Sequence, residues 1–158
     1  MYTNKTGIPM SLAVWLAHDD YDYIEDDKTI SATAIIRPTK QLVLGSRVPQ
    51  STQQSDINSL IPSSMGTALH NDIEYVWKNH YAKSMGKLGY PDHIIQRVMI
   101  NPESPKEDDL AVYLEQRSMR ELDGFTISGK FDAVINGRVR DFKSTSVYSA
   151  INKSNNKK

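Results

Sequence analysis

The sequence predicts an α/β (α+β) domain, an antiparallel β-hairpin and three-stranded sheet flanked by helices. Three stretches carry this reading. Phe125 to Ile135 has a strand-like run of Phe125, Ile127, Phe131, Val134 and Ile135, Asn136-Gly137 supplies a tight hairpin turn, and Val139 to Thr145 returns. Ala111 to Ser118 alternates, with Val112, Leu114 and Gln116 on one face and Tyr113, Glu115 and Arg117 on the other. Ser63 to Trp77 spaces Ala68, Leu69, Ile73, Val76 and Trp77 by threes and fours, the signature of an amphipathic helix.

The elements follow in chain order. Met10 to Ala17 makes about two helical turns, with Leu12, Trp15 and Leu16 as the buried side. The acidic run from Asp19 to Asp27 interleaves tyrosines with carboxylates and reads as a solvated loop or helix end. Ser31 or Thr33 caps a helix that Pro38 interrupts and Gly45 stops. Residues 45–64 form a polar linker. Ser63 or Ser64 caps the His70 helix, and Ile94 to Ile100 forms a short strand. Leu122-Asp123-Gly124 then turns the Ala111 strand into the hairpin.

At 158 residues the chain is long enough for one domain with its own core. It divides into an N-terminal helical and linker region (1–62), a core (63–146) and a short basic tail (147–158). Net charge is zero, yet the charge is unevenly placed. Residues 1–36 hold two lysines against six acids, whereas residues 111–158 hold nine Lys/Arg against five acids. The basic end contains the hairpin, a field suited to a phosphate backbone. The absence of cysteine excludes disulfides, zinc-thiolate sites and a cysteine nucleophile. With neither a membrane span nor a secretion signal, the expected location is the cytoplasm.

The chemistry concentrates on the hairpin. Asp141 and Lys143, two apart on the returning strand, share a face, and the hairpin brings Asp132 beside them. Two carboxylates and a lysine suit Mg²⁺-dependent phosphodiester chemistry, because Mg²⁺ takes oxygen ligands and activates water. The lysine can position that water or offset charge on the phosphate. The same triplet also occurs as an ordinary surface Asp–Lys pair. His70 and Glu74, one turn apart on the helix, can complete a metal site or form a surface pair.

In this order the pieces resemble the PD-(D/E)XK nuclease superfamily, in its RecB-like and phage exonuclease branch. Ser31 to Val48 resembles the leading helical segment. Gly66-Thr-Ala-Leu-His70 looks like the first motif, Gly129-Lys-Phe-Asp132 like the second, and Asp141-Phe-Lys143-Ser-Thr145 like the third. The resemblance implies a restriction-endonuclease-like core and a metal-dependent DNA nuclease, of the exonuclease type, in recombination, repair or DNA degradation. It implies Mg²⁺ or Mn²⁺ held by His70, Asp132, Asp141 and the Phe142 carbonyl. Lys143 would orient or activate the water. Glu74 and Glu115 would be accessory acids, and Ser144 and Thr145 would bind a phosphate oxygen. Phe131 stands where the superfamily's proline falls. Val147 to Lys158 is too short for the helix and strand that follow the third motif, and it lacks a Gln-x-x-x-Tyr sequence. The expectation is a C-terminally truncated chain, one completed by a second copy or partner subunit, or a catalytically incomplete relative that binds nucleic acid or protein. A third reading is a small structural or inhibitor protein that never meets DNA.

Overall fold

The computed structural model describes residues 1–19, 24, 26–47 and 55–144. Helix α1 covers Met10–Ala17, and the Pro9 carbonyl accepts the first amides, from Leu12 and Ala13. Of the expected apolar side only Leu16 is buried, while Leu12 and Trp15 remain partly in solvent. A short strand that the sequence reading lacked, β1 (Thr29–Ser31), leads directly into α2 (Ala32–Ile35). Ser31 is the cap, its hydroxyl accepting from Ala34 N at 3.1 Å. The helix ends before Pro38 as expected, and α3 (Thr39–Arg47) restarts after it. Gly45 does not stop α3, which runs two residues past it.

Asp56 organises the junction that follows. It caps the 3₁₀ turn Ile57–Leu60, accepting from Asn58 N, and also takes hydrogen bonds from Lys5 N at 2.6 Å, Thr6 Oγ1 and Thr3 Oγ1. Thr3 N donates to the Ser55 carbonyl and Ile57 N to the Thr3 carbonyl, so the N-terminal segment is strapped to the entry of the next helix.

That helix, α4, spans Ile61–Lys87. It starts before Ser63 and Ser64, which therefore do not cap it. Ser63 lies inside the first turn and donates to the Leu60 carbonyl, and Pro62 sits where its missing N–H costs nothing. The helix also runs further than its apolar spacing suggested, because its stop signal lies beyond Gly86. Gly89 takes φ +82°, Gly89 N donates to the Gly86 carbonyl and Tyr90 N to that of Met85. These bonds form a left-handed glycine cap that satisfies the last carbonyls.

After α5 (Asp92–Ile95) come β2 (Val98–Ile100), β3 (Leu110–Leu122), β4 (Phe125–Ile135) and β5 (Arg138–Arg140). The Ile94 to Ile100 stretch is thus a helical turn followed by a strand. The sheet is five-stranded and mixed, with order β1-β4-β3-β2 and β5 beside β4. The three consecutive antiparallel strands expected from the sequence are β3, β4 and β5. The parallel pairs β1–β4 and β2–β3 extend them. The fold is therefore mixed α/β with a five-stranded sheet flanked by helices.

The returning strand is shorter than expected. β5 pairs Arg138 to Arg140 with Ala133 to Ile135, and the ladder stops there. At the next step Phe142 N donates to the Asp132 carboxylate at 2.5 Å instead of to a backbone carbonyl. Residues Asp141–Ser144 consequently leave the sheet, and the face-sharing argument for Asp141 and Lys143 does not apply to them.

Val98, Val112, Leu114 and Ala133 form the buried core. Trp77, Tyr81 and Met85, four residues apart along α4, pack against it, together with Phe142. Gly129 lets β4 approach α2, since a Cβ there would lie 3.2 Å from that of Ala32. Because Leu114 is 2% exposed, Leu114→Ala is expected to lose about 2–5 kcal/mol in urea unfolding.

The Asp56 carboxyl is held below its usual range, mainly by the backbone hydrogen bonds from Lys5 and Asn58. Its contribution is complete above the ordinary carboxylate value and is lost as pH falls through the lowered one. Protection of the Lys5 and Ile57 amides, measured against their intrinsic exchange rates, should therefore fall in acid in the wild type. In Asp56→Asn it should already be low at neutral pH.

Candidate metal centre

The register of β3 against β4 places Glu115 opposite Asp132. Leu114 pairs with Ala133 and Gln116 with Phe131, and the ladder skips the pair between them. Glu115 has φ +50°, a left-handed conformation uncommon for a residue with a side chain and one that concentrates at functional positions. Two like charges opposed across a ladder repel one another. This structure sets an imidazole and a lysine beside them.

His70 projects from α4 toward both. Its Nδ1 lies 3.5 Å from Asp132 Oδ1 and 3.6 Å from Glu115 Oε1. The other ring nitrogen, Nε2, is 2.8 Å from the Phe142 carbonyl oxygen. A carbonyl only accepts, so Nε2 carries a proton and donates. With a neutral ring, the Nδ1 lone pair then faces two carboxylates, an arrangement that calls for a cation between them. The Phe142 ring meets the imidazole edge-on at a centroid distance of 6.3 Å, which further fixes its plane.

The three ligand atoms of His70, Glu115 and Asp132 lie within 4.8 Å of one another, and all three residues are half-buried. Donors around a cation at 2.0–2.2 Å are separated by roughly 3–3.5 Å, so the trio needs little rearrangement to share one. One imidazole and two carboxylates form a donor set that could hold a divalent cation. The remaining Glu115 oxygen, Oε2, pairs with Lys130 Nζ at 2.9 Å.

The trio opens onto a cleft of about 810 Å³. Residues of α4 on the His70 side, including Ser63, Thr67 and Glu74, line one wall, while Tyr2, Trp15 and His18 come from the N-terminal region. The strap at Asp56 thus positions one wall of the site.

The residues singled out from the sequence fall into two groups. His70, Asp132 and Glu115 converge. Asp141 lies just outside that trio, and its carboxyl is held low first by the hydrogen bond from Lys143, with Asp132 and His70 adding smaller effects. Lys143 is raised above its ordinary value, chiefly by the same bond, 2.8 Å long. The pair is largely solvent-exposed, with the lysine 74% accessible. The Phe142 carbonyl, which the resemblance offers as a ligand, accepts the His70 hydrogen bond. Glu74 is on the cleft wall, with its carboxylate 2.6 Å from Lys78 Nζ. Ser144 Oγ rests 3.4 Å from where a Cβ of Gly66 would stand, so the glycine lets the Asp141–Ser144 segment lie against α4. Thr145 lies outside the described residues, as does the 147–158 tail.

Sequence reasoning passed over Lys130 and the N-terminal wall. Lys130 had a signal, since it stands two residues before Asp132 on one strand. The wall had none, because it depends on a contact between Thr3 and Asp56.

No protein-family model, no curated protein and no solved structure matches this chain. Among the described residues no helix is long and apolar enough to cross a membrane.

If the trio holds a cation, Glu115→Gln and Asp132→Asn should each weaken Mn²⁺ binding about tenfold or more, read by electron paramagnetic resonance of free Mn²⁺. Asp141→Asn should weaken it less.

Proposed function

We propose that this protein is a metal-dependent DNA nuclease, of the exonuclease type, with the PD-(D/E)XK arrangement that its motifs resemble. The observation that carries the reading is the convergence of His70, Glu115 and Asp132 at the point where the β3–β4 ladder opens. These side chains would hold Mg²⁺ or Mn²⁺. When bound, the ion polarises a phosphoryl oxygen and lowers the pKa of a coordinated water.

The chain's own groups prepare the site. The Phe142 carbonyl holds the His70 ring so that Nδ1 faces the carboxylates, and Phe142 N holds Asp132 by its other oxygen. Both contacts come from one residue of the Asp-x-Lys segment. That segment therefore orients the ligands, and it also carries the Asp141–Lys143 pair. An ammonium group beside the phosphate would offset the negative charge that grows on it during hydrolysis.

A second reading has its own support. Lys143 and Asp141 are paired with each other in solvent, and the cleft wall carries four acids, among them Asp19 and Glu74. Both facts favour a non-cleaving relative, and the acids on the wall suit a protein partner better than a nucleic acid.

Incubation with linear and circular DNA, with and without Mn²⁺, separates the two. The nuclease reading predicts loss of linear DNA that requires the metal and falls at least ~100-fold in Asp132→Asn, a size typical of a lost electrostatic catalyst. Intact DNA beside normal Mn²⁺ binding supports the non-cleaving reading.

A further inference from the structure

We infer that Lys130, and not the lysine of the Asp-x-Lys motif, is the residue that meets the substrate phosphate at this site, an inference that rests on the nuclease reading.

The first observation is position. Lys130 and Asp132 lie two apart on β4, so their side chains leave the strand on the same side. Both line the cleft, and Lys130 is the one lysine or arginine on its wall among the described residues. Lys143 does not line it. Lys143 is 74% accessible and is turned to Asp141.

The second observation is the way Glu115 divides its oxygens. Oε1 faces His70 Nδ1 at 3.6 Å, and Oε2 faces Lys130 Nζ at 2.9 Å. One carboxylate therefore spans the metal-ligating position and the ammonium. A phosphate drawn to the trio comes within reach of a cation that is already held in place. The Lys130 side chain is 34% accessible, so a phosphate exchanging for water there meets an ammonium partly shielded from solvent.

The third is electrostatic balance. With Asp19, Glu74, Glu115 and Asp132 on its wall, the cleft repels a polyanion unless cations offset it. Among the described residues on that wall, Lys130 is the lysine or arginine available for that task. It binds phosphate as a point charge, so arginine should substitute for it in part and methionine should not.

The test measures binding of a short fluorescein-labelled oligonucleotide by anisotropy, with Ca²⁺ as a cation that supports binding without turnover. Wild type, Lys130→Met, Lys130→Arg and Lys143→Met are compared, with circular dichroism and urea midpoints confirming that each variant folds. Loss of one charge-assisted contact should weaken binding by Lys130→Met about tenfold. Lys130→Arg should recover most of that loss, and Lys143→Met should stay within about twofold of wild type.

Mn²⁺ affinity is read in parallel. It should be unchanged or higher in Lys130→Met, because Glu115 loses a competing cation. The inference is overturned if Lys143→Met carries the loss, if wild type does not bind the oligonucleotide, or if Lys130→Met loses Mn²⁺ binding, which would make Lys130 a support for Glu115 alone. If Lys130→Met loses the oligonucleotide while wild type never cleaves DNA in Mn²⁺, Lys130 stands as the phosphate contact and the nuclease reading fails.

Discussion

Two carboxylates facing each other across a β-ladder set the terms for this structure. Glu115 and Asp132 are opposed at the pair the β3–β4 ladder skips. Opposed like charges cost stability in a sheet, and a left-handed backbone at Glu115 adds to that cost. A sheet selected only for stability would carry an apolar or oppositely charged pair there. The surroundings instead supply a positive charge from Lys130 along β4 and a ring nitrogen of His70 from α4. The arrangement stores a demand for a cation at one point of an otherwise continuous ladder.

The remaining elements hold that point in place. α4 is anchored to the sheet by Trp77, Tyr81 and Met85 against Val98, Val112, Leu114 and Ala133, which fixes the height of His70 above β3 and β4. Phe142 joins the same core while its backbone N–H and carbonyl bind Asp132 and His70. Packing and polar contacts thus act through one residue. The departure of β5 from the ladder after Arg140 belongs to the same arrangement, because the amide that would have paired with β4 is used by the Asp132 side chain.

Much of this was legible in the sequence. Period-two alternation located β3, the apolar run from Phe125 to Ile135 located β4, Asn136-Gly137 located the turn, and Ser31 marked its helix start through ordinary capping chemistry. The residue types of the motifs pointed to His70 and Asp132 as partners. The rest was hidden for physical reasons. Glu115 rose from accessory acid to central ligand candidate because strand register, which local sequence does not encode, sets it opposite Asp132. Asp141 and Lys143 kept their spacing but left the strand, since a side-chain acceptor competed with the backbone ladder. The three-residue strand β1 carries too few residues for a periodic signal and exists through its parallel partner β4.

The central claim is that His70 presents Nδ1 to a cation shared with Glu115 and Asp132 while Nε2–H stays bound to the Phe142 carbonyl. Nitrogen-15 NMR of the His70 ring, recorded before and after addition of Cd²⁺ as a diamagnetic divalent cation, tests it directly. The account predicts a protonated Nε2 throughout and a large shift at Nδ1 on metal addition, abolished in Asp132→Asn. A shift at Nε2 in place of Nδ1, or no response at either nitrogen, would contradict it.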